Sequence, residues 1–201
     1  MSLTYTIQDY NHWKIQGSHI NEFVGKLVLK SDIEVTDKIA NFVNLKILEL
    51  VGKDITVIPD AFFQHTNLQQ IRLENTSIKI LPEKIWQMAE LKTLELEQNY
   101  SLKSLPEIKN RSTKMKYLLL QDGIFKTLPD TIDNLTNLEV LMCINMSLER
   151  LPDSIVNLRH LNTLLVDNNK LEFLPENIGN LILLKNFSAT SNKLSFLPQS
   201  F

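Results

Sequence analysis

Cysteine is almost absent from this chain, since Cys143 is the only one among its 201 residues. A single thiol excludes a disulfide framework within the chain, so we expect a cytoplasmic protein, although a protein exported by another route would look the same. No apolar run approaches the ~20 residues of a membrane-spanning helix. The stretch Met1–Tyr10 lacks the basic-then-apolar order of a signal peptide. These absences predict no membrane insertion.

An excess of charge of either sign is also missing. Lysine and arginine total 21, aspartate and glutamate total 23, and the net charge is −2. This balance leaves no electrostatic footprint for nucleic acid. The five glycines form no phosphate-binding loop, the four histidines show no metal-ligand spacing, and Cys143 falls at an inward strand position with no base beside it. We therefore expect no enzymatic activity, no cofactor and no metal.

Proline, by contrast, recurs at a fixed interval. Each of the seven prolines follows Leu or Ile, and their spacings are 23, 24, 23, 23, 23 and 23 residues. Self-similarity at this period predicts a solenoid, in which each repeat packs only against its neighbours. The repeats begin at Leu45, Leu68, Leu91, Met115, Leu138, Leu161 and Leu184. An ordinary leucine-rich helical protein predicts neither the period nor the segregated prolines.

Elementary chemistry accounts for each part of the repeat. The segment L-x-x-L-x-L alternates, which predicts a short strand with one face turned into the core. An Asn follows this strand in three repeats, as Asn99, Asn169 and Asn192. Its side-chain amide can form hydrogen bonds with backbone groups of a tight turn. Proline suits the first turn of a short helix, where its missing N–H costs nothing. Strands on one side and bulkier turns on the other predict a curved stack.

The pattern L-x-x-L-x-L-x-x-N-x-L-x-x-L-P-x-x-I over Leu45–Phe201 resembles the leucine-rich repeat in its 23-residue intracellular type. Leu161–Phe201 is similar to the repeats of Scribble, Erbin and Densin, of Ras-suppressor and plant Ras-group proteins, and of bacterial relatives that include effectors delivered into host cells. The resemblance implies an α/β horseshoe, with a parallel sheet on the concave face and short helices or 3₁₀ turns on the convex face. It also implies an adaptor or recognition arm.

The two ends of the array differ from its middle. We interpret residues 1–44 as an N-terminal cap with a degenerate first repeat, whose strand holds Leu27 and Leu29 and whose cap is helical around Thr6–Lys14. Trp13 then serves the cap, with a ligand-binding aromatic as the alternative. Residues 45–201 form seven repeats, the last truncated at Phe201 without a polar terminal repeat. We expect this end to be continued by a longer chain, or covered by a partner or by self-association.

Departures from the pattern predict local irregularities. The asparagine slot, which Asn99, Asn169 and Asn192 occupy, holds other residues in the remaining repeats: Lys53, Thr76, Gly123 and Met146. Asn145, one residue before Met146, is interpreted as a displaced copy of the amide. The third repeat has one extra residue around Asn99–Leu102 and places Lys109 and Ser112 where other repeats have Ile and Leu. A bulge and a looser convex side are expected there.

Outward strand residues form the predicted concave face. In the fourth to sixth repeats these residues are apolar and adjacent, and we call the six of them the apolar patch: Tyr117, Leu119, Val140, Met142, Ile144 and Leu165. Polar residues rim the patch: Glu95, Glu97, Gln121 and Asp167. Contiguous exposed apolar surface is typical of a binding site. We therefore predict that these ten residues bind a protein partner.

Three functions fit these observations. The first is a non-enzymatic protein-binding module, acting in the cytoplasm as a scaffold or recognition arm in signalling. The second is the substrate-recognition domain of a bacterial effector, or of a larger signalling protein, whose catalytic domain lies outside this chain; an effector would act in the host cytoplasm or be secreted. The third is a self-assembling repeat protein without a dedicated ligand, which would assemble in a concentration-dependent way.

Overall fold

The computed structural model describes residues 4–5, 25–30, 44–58 and 60–200. The predicted helix at Thr6–Lys14, Trp13 and the final residue Phe201 lie outside the described residues. Within the described ranges, nine strands form one sheet in sequence order, and every neighbouring pair is parallel. The order of the strands confirms a solenoid in which each repeat adds one strand.

The strand bounds follow the predicted alternating segments. They are β1 Thr4–Tyr5, β2 Lys26–Lys30, β3 Ile47–Val51, β4 Gln70–Glu74, β5 Thr93–Glu97, β6 Tyr117–Gln121, β7 Val140–Ile144, β8 Thr163–Leu165 and β9 Asn186–Ser188. Leu27 and Leu29 lie in β2, as predicted, and are buried. The sequence did not predict β1, which pairs its two residues with Lys26 and Leu27.

Period-two alternation sorts the strand residues between core and surface. In β3, Leu48 and Leu50 are fully buried while Ile47, Glu49 and Val51 are partly exposed. The same alternation holds from β4 to β7. Since the register advances by one whole repeat from strand to strand, inward leucines of neighbouring repeats stack into one continuous core.

Short 3₁₀ turns form the convex side opposite the sheet. They span Asp60–Gln64, Glu83–Gln87, Ile132–Asn134, Asp153–Asn157 and Ile178–Asn180. In four repeats the isoleucine amide donates to the carbonyl of the proline three residues earlier, for example Ile155 to Pro152 at 3.1 Å. Proline thus opens the turn, where an amide N–H would have no partner within the turn and its absence costs nothing. The sequence predicted short helices or 3₁₀ turns on the convex side, and the described residues form 3₁₀ turns there.

The third repeat departs from this pattern, as its extra residue predicted. Tyr100 and Ser101 form a turn after the asparagine slot, and no 3₁₀ turn is described between this turn and β6. The core position of this repeat is nevertheless filled, because Ile108 occupies it one residue early and is fully buried. Ser112 is also buried. Lys109, which the pattern placed in the core, is exposed and pairs with Glu83 at 2.9 Å.

Hydrogen bonds to the next repeat replace the missing turn. The Ile108 amide donates to Thr131 Oγ1 at 2.8 Å, and Asn134 Nδ2 donates to the Ile108 carbonyl at 2.7 Å. The Ser112 amide donates to the Asn134 carbonyl at 2.8 Å. The next repeat therefore pairs three backbone groups of the extended segment, which forms no helix of its own.

The asparagine slot behaves as predicted where it holds an amide. Asn169 Oδ1 accepts from the Met146 and Leu148 amides at 3.1 and 2.9 Å, and its Nδ2 donates to the Cys143 carbonyl at 2.6 Å. Asn99 and Asn192 make the corresponding bonds to the repeats that precede them. Each amide therefore ties a turn of its own repeat to buried backbone of the previous one.

The interpretation of Asn145 as a displaced ladder amide is wrong. Asn145 is exposed, and its Nδ2 donates to Asp122 Oδ1 at 2.7 Å. It belongs instead to a column of left-handed residues that immediately precede the slot, with φ between 51° and 57°: Asn75, Gln98, Asp122, Asn145, Asn168 and Ser191. Asn tolerates this conformation better than most residues. The vacant amide position is filled by Met146, which is buried against Gly123.

Candidate functional site

The outward residues of the strands form the concave face, and the parallel register aligns them in rows. Tyr117 lies beside Val140, Leu119 beside Met142, and Gln121 beside Ile144. Met142 lies in turn beside Leu165. Neighbouring strands are about 4.8 Å apart, so the six side chains of the apolar patch occupy one continuous area. The structure thus brings together the residues that the sequence predicted.

The apolar patch is open to solvent, although its members shield one another. Tyr117 is 37% exposed. The other five side chains are each partly exposed, while the alternate residues of the same strands are fully buried. The core-facing residues of β6 and β7 are thus fully buried. The apolar patch lies on the opposite face of the sheet and is separate from the core.

Glu95 and Glu97, on the β5 side of the patch, surround a single arginine. Arg72 Nη2 contacts Glu97 Oε2 at 2.6 Å and Glu74 Oε2 at 3.1 Å, and its Nε lies 3.3 Å from Glu95 Oε1. We call these four residues the Arg72 cluster. The hydrogen bond to Glu97 is the main cause of a raised pKa for Arg72. Burial raises the pKa of Glu95, against the lowering effect of Arg72.

Asp167, on the opposite side, is already engaged within the chain. Its Oδ1 accepts hydrogen bonds from the Thr190 amide at 2.6 Å and from the hydroxyls of Ser188 and Thr190. Burial alone would raise its pKa, but these bonds outweigh burial and lower the pKa. This carboxylate therefore holds β9 against β8. Gln121 is exposed and contacts Asp122 at 3.4 Å.

Catalytic or metal-binding groupings are not evident in the described part of the chain. Cys143 is buried in the core, and burial raises the pKa of its thiol, which disfavours the reactive thiolate. No group of three or more His, Cys, Asp or Glu residues is placed to hold a metal ion among the described residues. In the same residues no helix is long and apolar enough to cross a membrane.

Sequence reasoning missed two surface features. The first is the Arg72 cluster, because its contacts with Glu95 and Glu97 join residues about one repeat apart and depend on the register. The second is an exposed aromatic pair outside the concave face, Phe173 and Phe196, whose ring centroids are 5.5 Å apart. Both residues occupy the second position before a repeat proline. A comparison of that position across repeats would have detected the pair.

Sequence and structure comparisons agree on the repeat. The family described as leucine-rich repeat region matches residues 103–198, and the family described as leucine rich repeat matches residues 43–100. A comparison with curated proteins gave no match.

Several solved structures share the fold. A leucine-rich repeat protein of Leptospira interrogans is 25% identical with a TM-score of 0.56, and the match covers 88% of this chain and 57% of that one. The leucine-rich repeat domain of the type III effector XopL is 21% identical, with a TM-score of 0.68 and coverage of 88% and 72%. Internalin C2 of Listeria monocytogenes is 21% identical, with a TM-score of 0.69 and coverage of 86% and 74%.

This chain spans little more than half of the Leptospira protein's length. The two family matches, the one-strand-per-repeat sheet and the similar structures lead to the same assignment. Residues 43–100 and 103–198 consist of leucine-rich repeats, and the chain is a leucine-rich repeat solenoid.

Proposed function

We propose that this chain is a non-enzymatic protein-binding module whose concave face binds a protein partner through the apolar patch. The observation that carries the proposal is the row-by-row alignment of six partly exposed apolar side chains across β6, β7 and β8. A sheet face that only met water would be expected to carry polar residues at these positions. A contiguous apolar surface instead favours association with another protein.

The exposed area of the patch limits what it contributes to a complex. Burying one large, fully exposed apolar side chain contributes roughly 1.5–3 kcal/mol. Tyr117 is 37% exposed and the other five side chains are also only partly exposed, so the six together contribute on the order of 3–6 kcal/mol. Association costs roughly 4–15 kcal/mol in lost freedom, so further contacts on the rest of the face must add to the patch in a stable complex. Central residues usually dominate an interface, so Leu119 and Met142 should each lose on the order of 2 kcal/mol of binding when truncated.

The test compares partner capture by three folded proteins. The wild-type chain and the Leu119→Asp/Met142→Asp variant are used as baits in a lysate, and bound proteins are identified by mass spectrometry. Both substitutions lie on the outward side of their strands and should leave the circular dichroism spectrum unchanged. The matched control is Ile182→Asp, since Ile182 is an exposed apolar residue outside the strands, at 82% exposure.

We expect the double variant to lose the partners that wild type and Ile182→Asp retain. An unchanged partner list for the folded double variant would contradict the concave-face proposal. In that case the exposed pair of Phe173 and Phe196 would be the next surface to test.

We infer that the repeats belong to the 23-residue intracellular type and that the module works in the cytoplasm. The fixed repeat length and the single, buried cysteine support this inference. A second candidate is the substrate-recognition domain of a bacterial effector or of a larger signalling protein. Similarity in fold to the leucine-rich repeat domain of a type III effector favours it. A reading frame that continues from these repeats into a catalytic domain would decide for the second candidate.

A further inference from the structure

The charged residues of the concave face are concentrated on one side of the apolar patch. Among the outward residues of β4 and β5, the charged ones are the members of the Arg72 cluster, Glu74, Glu95 and Glu97 with Arg72. Three carboxylates and one guanidinium give a net charge of −2. The outward residues of β6 and β7 carry no charge. The face is therefore acidic on β4 and β5, and uncharged and largely apolar on β6 and β7.

Within the Arg72 cluster the one cation is unequally shared. Glu97 and Glu74 both contact Arg72 Nη2, at 2.6 and 3.1 Å. Glu95 has only the 3.3 Å contact with Arg72 Nε, and that nitrogen makes no hydrogen bond in the described residues. Burial is the main cause of a raised pKa for Glu95; Arg72 lowers this pKa, but the neighbouring carboxylates Glu97, Glu49 and Glu74 act against Arg72 and raise it. Glu95 is therefore the least compensated carboxylate of the cluster.

Glu95 is also the member that lies against the apolar patch. The register places it directly beside Leu119 on β6, with Arg72 on its other side. Adjacent strands are about 4.8 Å apart. If one partner side chain contacts Leu119 in a complex, a second partner side chain about one strand spacing away can reach the Glu95 carboxylate. Water would then be excluded from Leu119 and from Glu95.

We propose that the partner is a protein segment that places apolar side chains on Leu119 and Met142 and a lysine or arginine side chain on Glu95. This inference rests on the proposed function. The partner's cation would neutralise the Glu95 carboxylate, which Arg72 neutralises only in part. The attraction between this cation and Glu95 is stronger in a dehydrated interface than in water. An acidic segment would bring like charge against a cluster of net charge −2 and is disfavoured.

The proposal is tested with random peptides displayed on phage and selected on the immobilised 201-residue chain, with counter-selection on the Leu119→Asp/Met142→Asp variant. Enriched peptides should combine large apolar residues with lysine or arginine. One such peptide is then synthesised, and its dissociation constant is measured by fluorescence anisotropy for wild type, Glu95→Gln and Glu172→Gln. Glu172 is exposed, lies outside the strands and is the matched control.

Glu95→Gln should weaken binding about tenfold, and replacing the peptide's cation with norleucine should weaken it by a similar factor. The two changes together should cost little more than either alone, because both remove the same interaction. Added salt should weaken wild-type binding more than binding to Glu95→Gln. Glu172→Gln should bind as wild type does.

Two results would overturn the inference in distinguishable ways. Peptides that require Leu119 and Met142 but lack cations, and bind Glu95→Gln as tightly as wild type, would refute the basic partner while leaving the proposed function intact. Selection that yields no peptide able to distinguish wild type from the double variant would count against the concave face itself, and so against both proposals.

Discussion

Buried amides connect neighbouring repeats at the scale of single residues. Asn169 uses both polar atoms of its side chain, since Oδ1 accepts from two amides of the previous repeat and Nδ2 donates to three carbonyls. Thr76 and Met146 occupy the same slot without an amide and are also buried. The slot is thus satisfied in different ways: Thr76 donates its hydroxyl to Asn99, and Met146 fills the space beside Gly123.

Asn169→Ala is expected to destabilise the fold by about 3 kcal/mol, because the Met146 and Leu148 amides would both lose their acceptor in a buried site. The free energy of unfolding is measured by urea denaturation monitored by circular dichroism. Lys53→Ala, at an exposed occupant of the same slot, is the control and should be close to neutral. Equal denaturation midpoints for the two variants would contradict a structural role for the ladder.

The sequence allowed the ladder to be predicted but not the left-handed column beside it. The role of Asn in the slot is visible because Asn recurs at this position in three repeats, as Asn99, Asn169 and Asn192. The left-handed position instead holds Asn, Gln, Asp and Ser, for example in Gln98 and Asp122. The residues of this column share a left-handed backbone conformation and not a common side-chain hydrogen bond. The placement of Asn145 in it therefore required the structure.

At the scale of the repeat's elements, strands are more uniform than convex segments. Inward leucines fix the strand register, because a slip by one residue would expose the whole inward set. The convex segments tolerate a change of conformation, provided that their backbone groups are paired. The third repeat shows this, since Ile108 reaches the core from an extended segment that Thr131 and Asn134 of the next repeat hold in place.

Asn134→Ala should therefore cost about 1 kcal/mol, the typical net contribution of a side-chain hydrogen bond, through loss of the bond to the Ile108 carbonyl. Asn180→Ala is the matched control: Asn180 ends the corresponding 3₁₀ turn of another repeat and is exposed. Thermal unfolding midpoints measured side by side decide the prediction. If Asn180→Ala is as destabilising as Asn134→Ala, the bond to the third repeat has no special role.

The early arrival of Ile108 was not predictable from the repeat pattern. The pattern counts three residues from proline to the core isoleucine, which selects Lys109 after Pro106. That count assumes a 3₁₀ turn, in which residues three apart share a face. An extended segment returns to the same face after two residues, and the third repeat uses this spacing.

At the scale of the whole molecule, one periodicity governs both the core and the concave face. The alternation that buries Leu118 and Leu141 also projects Leu119 and Met142 outward. The apolar patch could therefore be predicted from the sequence once the strand starts were known. The charge pairing could not, because whether Glu97 is free or bound to Arg72 depends on side-chain conformation across two strands.

Protection of backbone amides should vary along the solenoid. β6 pairs with β5 and β7 over five residues each, whereas β9 pairs with β8 over three. Leu184, Phe187 and Leu194 are only partly buried, although the corresponding residues of the preceding repeat are fully buried. Because repeat stability is a sum of local and nearest-neighbour terms, hydrogen exchange should be at least about tenfold faster in β9 than in β6.

The same measurement tests whether the partly buried surface of the final repeat associates with a second copy. Self-association would slow exchange in β9 as protein concentration rises, and light scattering would show the larger species. Asp167→Ala should accelerate exchange at Thr190 by removing the acceptor of its amide, whereas Gln121→Ala, in the same outward column, should leave it unchanged. Uniform protection in a chain that light scattering shows to be monomeric would contradict the gradient, because no neighbouring copy would then explain the stability of β9.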